Sequence, residues 1–229
     1  MFRLPARVVA ASALLLTSCD FGGGSRLIGE GEPTVLVIGD SVMEWNRPDN
    51  ASVAHVIAEL TGRSVQQSAI SGALLSADGG DIRDQYAPGT WEWVVMDGGA
   101  NDLGEECGCG PCAGVLDELA SADGTRGEYP DFVRRVASDG AEVLVMGYYA
   151  PPTGAETEFT ACADEFQELS QRLQRMASAT DNVTFAPAAA VIDPDNGSHY
   201  DEDQVHPSVT GSRLIGEMFA DLIAAGLDG

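Results

Sequence analysis

The sequence contains no lysine. Its 12 basic residues are all arginine and face 36 acidic ones, for a formal net charge of −24 at pH 7. A surface this acidic repels nucleic acid and anionic lipid headgroups, which removes both from the natural partners. Long apolar runs are missing too. Residues 8–16 form one short run, too short to span a bilayer, and nothing later is longer. No G-x-G-x-x-G and no P-loop occurs, so nucleotide binding has no support. The G-x-S-x-G nucleophile elbow is also absent, because Gly39-Asp40-Ser41-Val42-Met43 lacks the second glycine. What remains is an ordinary globular composition, 44% hydrophobic and 21% charged over 229 residues. That suffices for one domain with a sizeable core.

The amino terminus reads as an export signal, not as fold. Arg3 and Arg7 precede the apolar run, and Leu16-Thr17-Ser18-Cys19 resembles the bacterial lipobox, in which cleavage leaves a lipidated cysteine. Residues 1–18 are therefore expected to be a lipoprotein signal peptide, and 19–32 a flexible tether from lipidated Cys19. Residues 33–229 form the folded domain. Localisation follows: exported, in the cell envelope, touching membrane only through the lipid. Cys107, Cys109, Cys112 and Cys162 are even in number, as disulfides in an oxidising compartment require, with three connectivities open. Zinc binding by the same four is the competing reading.

Val35-Leu36-Val37-Ile38 reads as a buried strand ended by Gly39, which places Ser41 just past its carboxyl end. An irregular loop follows, then a helix over 51–60 capped by Asn50. Strands are expected over 63–68, 91–97, 141–147 and 183–186. Helices are expected over 113–119, 129–137, 162–179 and 207–225, with a weaker one over 80–86. Alternating strands and helices imply an α/β fold: a three-layer α/β/α sandwich around a mainly parallel five-stranded sheet.

In such a sheet the loops beyond the strand ends converge on one rim. These loops carry Ser41, Gly72 and Asn101, and the segment before the last helix carries Asp203-Gln204-Val205-His206. A serine nucleophile needs a base and oxyanion donors. His206 supplies the base. Asp203, three residues earlier, can accept from one imidazole nitrogen while the other faces the serine. The backbone N–H groups of Ser41 and Gly72 and the Asn101 amide supply the oxyanion hole. Met43, Trp45 and His199 are candidate substrate contacts. Asp193-Pro-Asp195-Asn196-Gly197 fails the EF-hand spacing, so no metal is expected there.

Gly39-Asp40-Ser41, Gly72, Gly99-Ala100-Asn101-Asp102 and Asp203-Gln204-Val205-His206 occur in the order of the four blocks of the SGNH, or GDSL-type, hydrolase family, which the chain resembles from residue 34 to its last helix. The resemblance implies a flavodoxin-like fold and cofactor-free, metal-free hydrolysis of esters or thioesters through an acyl-serine. It assigns Ser41, Gly72, Asn101 and His206 their family roles, with Asp203 completing the triad. Val42 replaces the commoner leucine, and the cysteine run after Asp102 is not a general family feature. The acidic surface and the absence of a long apolar stretch favour a neutral small-molecule or glycan ester carrying a short acyl group. The alternatives are a lysophospholipase or thioesterase, an O-acyltransferase, and a glycan-binding lipoprotein without activity.

Overall fold

The computed structural model describes residues 24–76 and 81–227. The signal segment, Cys19 and the first part of the expected tether lie outside them. The sheet strands are β1 (Arg26–Ile28), β2 (Val35–Ile38), β3 (Val65–Gln67), β4 (Trp93–Met96), β5 (Glu142–Gly147) and β6 (Val183–Pro187). Their spatial order is β1-β3-β2-β4-β5-β6. All neighbours run parallel except β1, which pairs antiparallel with β3. Residues Val35–Ile38 and Trp93–Met96 are buried throughout, as strands covered on both faces must be.

The helices are α1 (Ser41–Glu44), α2 (Val53–Thr61), α3 (Ala100–Cys107), α4 (Ala113–Leu119), α5 (Glu128–Ser138), α6 (Ala163–Ser178) and α7 (Val209–Leu227). α2 and α7 pack together as one layer, while α3 to α6 form the other. Gly216 lets α7 sit hard against α2, because a Cβ there would overlap Val56. The three-layer α/β/α sandwich is thus the architecture.

The expectation of five strands is corrected to six. The added strand, Arg26–Ile28, lies inside the segment expected to be tether. Three residues, two of them exposed, are too few to show an alternating pattern. Asn50 does not cap α2. It sits in the left-handed region (φ 55°) and its side chain accepts from Arg26 at 2.8 Å, while Ser52 occupies the cap position. The weak helix expected over 80–86 is one 3₁₀ turn, Ile82–Gln85. A short helical turn, Ser41–Glu44, takes in Met43 and Glu44, the start of the expected irregular loop.

The four cysteines pair as Cys107–Cys112 and Cys109–Cys162. The second bridge joins the turn after α3 to the start of α6, 53 residues on.

Candidate active site

The nucleophile turn is held from below by a buried acid pair. Gly39 has a φ of 139°, and a Cβ there would overlap the Asp97 carboxyl, so only glycine fits. Gln85 clamps Gly39 from both sides, accepting from its N–H at 2.7 Å and donating to its carbonyl at 2.9 Å. Asp40 is buried. Its Oδ1 accepts from the Val42 N–H at 2.9 Å and so caps α1, its Oδ2 accepts from the Tyr148 hydroxyl, and its own N–H donates to Asp97 Oδ1 at 2.8 Å. Burial, together with the Asp40 charge, pushes the Asp97 carboxyl well above the carboxylate range. Two adjacent buried carboxyls do not both ionise, so Asp97 keeps the proton. Capping in this way leaves Ser41 as the first helical residue. Its N–H has no acceptor among the described residues, the position in which a helix start offers a free donor.

Gly72 lies on the loop after β3, in the left-handed region (φ 78°). Its N–H is likewise without an acceptor among the described residues. Asp102, fully buried, holds this loop by accepting from the N–H groups of Leu75 and Ser76 at 3.0 and 2.8 Å. Asn101, in the first turn of α3, donates one amide proton to Ala73 O at 3.0 Å, and its second proton has no acceptor among the described residues. Glu44, from α1, accepts from both the N–H and the hydroxyl of Ser71, at 2.5 and 2.6 Å. Donors from three loops are thus fixed to one another before any ligand binds.

His206 is set by a tight turn. Asp203 Oδ1 accepts from the N–H groups of Val205 and His206 at 2.9 and 3.0 Å, and Asp203 Oδ2 meets His206 Nδ1 at 2.6 Å. Gln204 takes a left-handed conformation (φ 61°) to make this possible. Burial raises the Asp203 carboxyl, but the bonds from the His206 ring and the two N–H groups outweigh it and hold the group below its usual range. Asp203 is therefore ionised at neutral pH, with the His206 ring held against its carboxylate. With Nδ1 committed to Asp203, Nε2 is the nitrogen left to act as a base.

Ser41, Asn101 and His206 line one cavity of about 40 Å³. Val42, Ala100, Tyr148, Tyr149, Phe159 and Phe166 supply its apolar wall. Ser41 Oγ makes no hydrogen bond among the described residues, a contact that often tightens only when substrate binds.

The three candidate substrate contacts lie elsewhere. Met43 is fully buried in the core. Trp45 is stacked on His206, with ring centroids 3.7 Å apart and planes 8° from parallel. His199 accepts the Asp193 N–H at Nδ1, 3.0 Å away, and its Nε2 lies 2.9 Å from the Asn196 amide nitrogen. Sequence reasoning missed Tyr148, Tyr149 and Phe159. The tyrosines directly follow β5, so the strand-end rule that found Ser41 applied to them as well. Phe159 had no such signal. It reaches the cavity from the segment that the Cys109–Cys162 bridge ties to the end of α3.

Comparison with known proteins bears on the family and the fold. The model of the GDSL-like Lipase/Acylhydrolase family matches residues 37–214. Comparison with curated proteins finds no match. Among solved structures, the chain is similar to a catalytic mutant of an acetylxylan esterase from Geobacillus stearothermophilus, at 18% identity and a TM-score of 0.56, covering 85% of this chain and 94% of that one. A GDSL-like lipase from Bacteroides thetaiotaomicron is 18% identical with a TM-score of 0.58, covering 84% and 88%. A carbohydrate esterase family 2 enzyme with a carbohydrate-binding domain, from Corynascus thermopiles, is 16% identical with a TM-score of 0.61, covering 88% and 68%. At such identities the likeness is one of fold, whereas the family match spans most of the sequence. The chain belongs to the GDSL-like lipase/acylhydrolase family and is an ester-hydrolysing enzyme.

Proposed function

We propose that the enzyme hydrolyses short-acyl, acetyl-type carboxylic esters, with carbohydrates as the class of alcohol, through an acyl-Ser41 intermediate. His206 Nε2 takes the Ser41 proton as Oγ attacks the acyl carbon, and the imidazolium returns it to the departing alkoxide. The oxyanion is met by the N–H groups of Ser41 and Gly72 and by the free Asn101 amide proton. Water deprotonated by His206 then releases the acid and frees Ser41.

Cavity size carries the acyl preference. About 40 Å³ next to Ser41 is room for about three water molecules, the scale of an acetyl group and far below that of a lipid tail. A neutral alcohol is favoured by the charge of −24, which repels polyanions. We place the protein outside the cytoplasm, which its two disulfides support, and anchored at Cys19, which rests on the lipobox-like Leu16-Thr17-Ser18-Cys19 alone.

The test is hydrolysis of p-nitrophenyl esters from acetyl to dodecanoyl, with Ser41→Ala as the control. Turnover by the wild type alone, highest on acetyl, is expected. A maximum at long chains would move the enzyme to lysophospholipid or thioester substrates, and equal rates for Ser41→Ala would remove Ser41 from the chemistry.

A further inference from the structure

Ser41 and His206 lie 165 positions apart in the chain and share no hydrogen bond, yet catalysis requires a fixed distance between them. One residue touches both of their elements. The Trp45 backbone N–H donates to the carbonyl of Ser41 itself at 2.7 Å, closing the nucleophile turn. Its indole lies flat on the His206 imidazole, 3.7 Å between centroids. The indole N–H donates to Asp201 Oδ2 at 2.6 Å, and the Asp201 N–H donates to the carbonyl of His206 at 2.8 Å. Asp201 is in turn held by the Glu202 N–H, which its other oxygen accepts at 2.7 Å. Next in the chain, Asn46 donates to the Pro207 carbonyl and to Ser212 Oγ, at 3.0 and 2.9 Å. Residues 45 and 46 therefore grip the His206 loop from the nucleophile side.

We propose that Trp45 is a positioning residue, a brace that sets the nucleophile and the base at working distance by joining the Ser41 turn to the His206 ring. Trp45 does not line the catalytic cavity. It lies on the outer side of the imidazole, at a shallow surface groove with Pro48, Ser71 and Asp201. One imidazole edge is held by Asp203 and one face by Trp45, which leaves Nε2 directed at the cavity. The stack also excludes water from that face, and an aromatic face favours a cation beside it, so the imidazolium formed during attack gains as well.

This inference rests on the serine-esterase reading above, and the test separates the two. Trp45→Leu removes the flat face, whereas Trp45→Phe keeps a face and loses only the N–H to Asp201. Expected on p-nitrophenyl acetate is a kcat about 10- to 100-fold lower for Trp45→Leu, with KM within about twofold, and a kcat within about fivefold of wild type for Trp45→Phe. Rates are taken per folded molecule, below the melting transition of each variant. A raised KM with kcat intact would make Trp45 a substrate platform and overturn the brace. Unchanged kinetics in both variants would overturn it too. A second readout needs no turnover: in the NMR spectrum the His206 ring protons are displaced upfield by the indole in wild type and in Ser41→Ala, and return in Trp45→Leu. Absence of that displacement contradicts the stack directly. Wild-type turnover no greater than that of Ser41→Ala would defeat the esterase reading instead, leaving the brace to be judged on the spectrum.

Discussion

Asn101→Ala separates the task the structure gives this side chain from the one we propose for it. The amide holds the Gly72 loop through its 3.0 Å bond to Ala73 O, and its second proton is free to meet the oxyanion. The first task is one ordinary hydrogen bond, worth about 1 kcal/mol of stability. For a domain of this size that is a fall in Tm of about 2–4 °C. The second is an oxyanion donor in an apolar-walled cavity, where one donor is worth about 3–4 kcal/mol of transition-state stabilisation, or about 100- to 1000-fold in kcat. The two numbers differ enough to be told apart. Steady-state kinetics on p-nitrophenyl acetate, with a thermal melt of the same preparation, should show a large loss of kcat, little change in KM and a small loss of Tm. A lowered Tm with kcat within about threefold of wild type would make Asn101 a loop tie only and refute the oxyanion assignment.

Asp97→Asn should be tolerated, because the amide oxygen can still accept from the Asp40 N–H and no proton need be held. Keeping Asp97 protonated costs stability as pH rises above the ordinary carboxylate range, since the unfolded chain releases that proton and the folded one does not. The Tm of Asp97→Asn should therefore gain on that of wild type as pH is raised from acid to neutral, and a constant gap would contradict the protonated pair. His55 is held neutral by burial, aided by Arg26 and Arg47, which push its imidazole down to about 4. The unfolded chain binds that proton near pH 6.5 and the folded one does not, so Tm should fall between pH 6.5 and 4, and less steeply in His55→Gln. The Cys109–Cys162 bridge closes a separation of 53 residues, worth about 4 kcal/mol in the chain-entropy account. Cys109→Ser with Cys162→Ser should lower Tm by about 10 °C. The same double variant should blunt the preference for acetyl over longer esters, because Phe159 loses its anchor; an unchanged chain-length profile would separate the bridge from the cavity.

The parts of this site readable in the sequence are those set by local pattern. Four apolar residues and a glycine announce the strand before Ser41, and the spacing of Asp203 from His206 announces one turn. Features that depend on partners distant in the chain did not show. Arg26–Ile28 is a strand only because Val65–Gln67 offers an edge to pair with. Asn50 looks like a helix cap by residue type, yet Arg26 occupies its side chain. Trp45 has the flat apolar surface of a substrate platform, and tertiary packing spends that surface on His206 instead. The cavity wall was the least legible part, because Phe159 reaches it through a disulfide whose connectivity the cysteine spacing leaves open.

The central claim is a covalent acyl-Ser41. The most direct test is rapid quenching of the wild type during turnover of p-nitrophenyl acetate, followed by peptide mass analysis. The account requires one acetyl group on the peptide that contains Ser41, formed with a stoichiometric burst of p-nitrophenolate and absent from Ser41→Ala. Acetate release at the wild-type rate by Ser41→Ala, or acetyl found only on another residue, would contradict it.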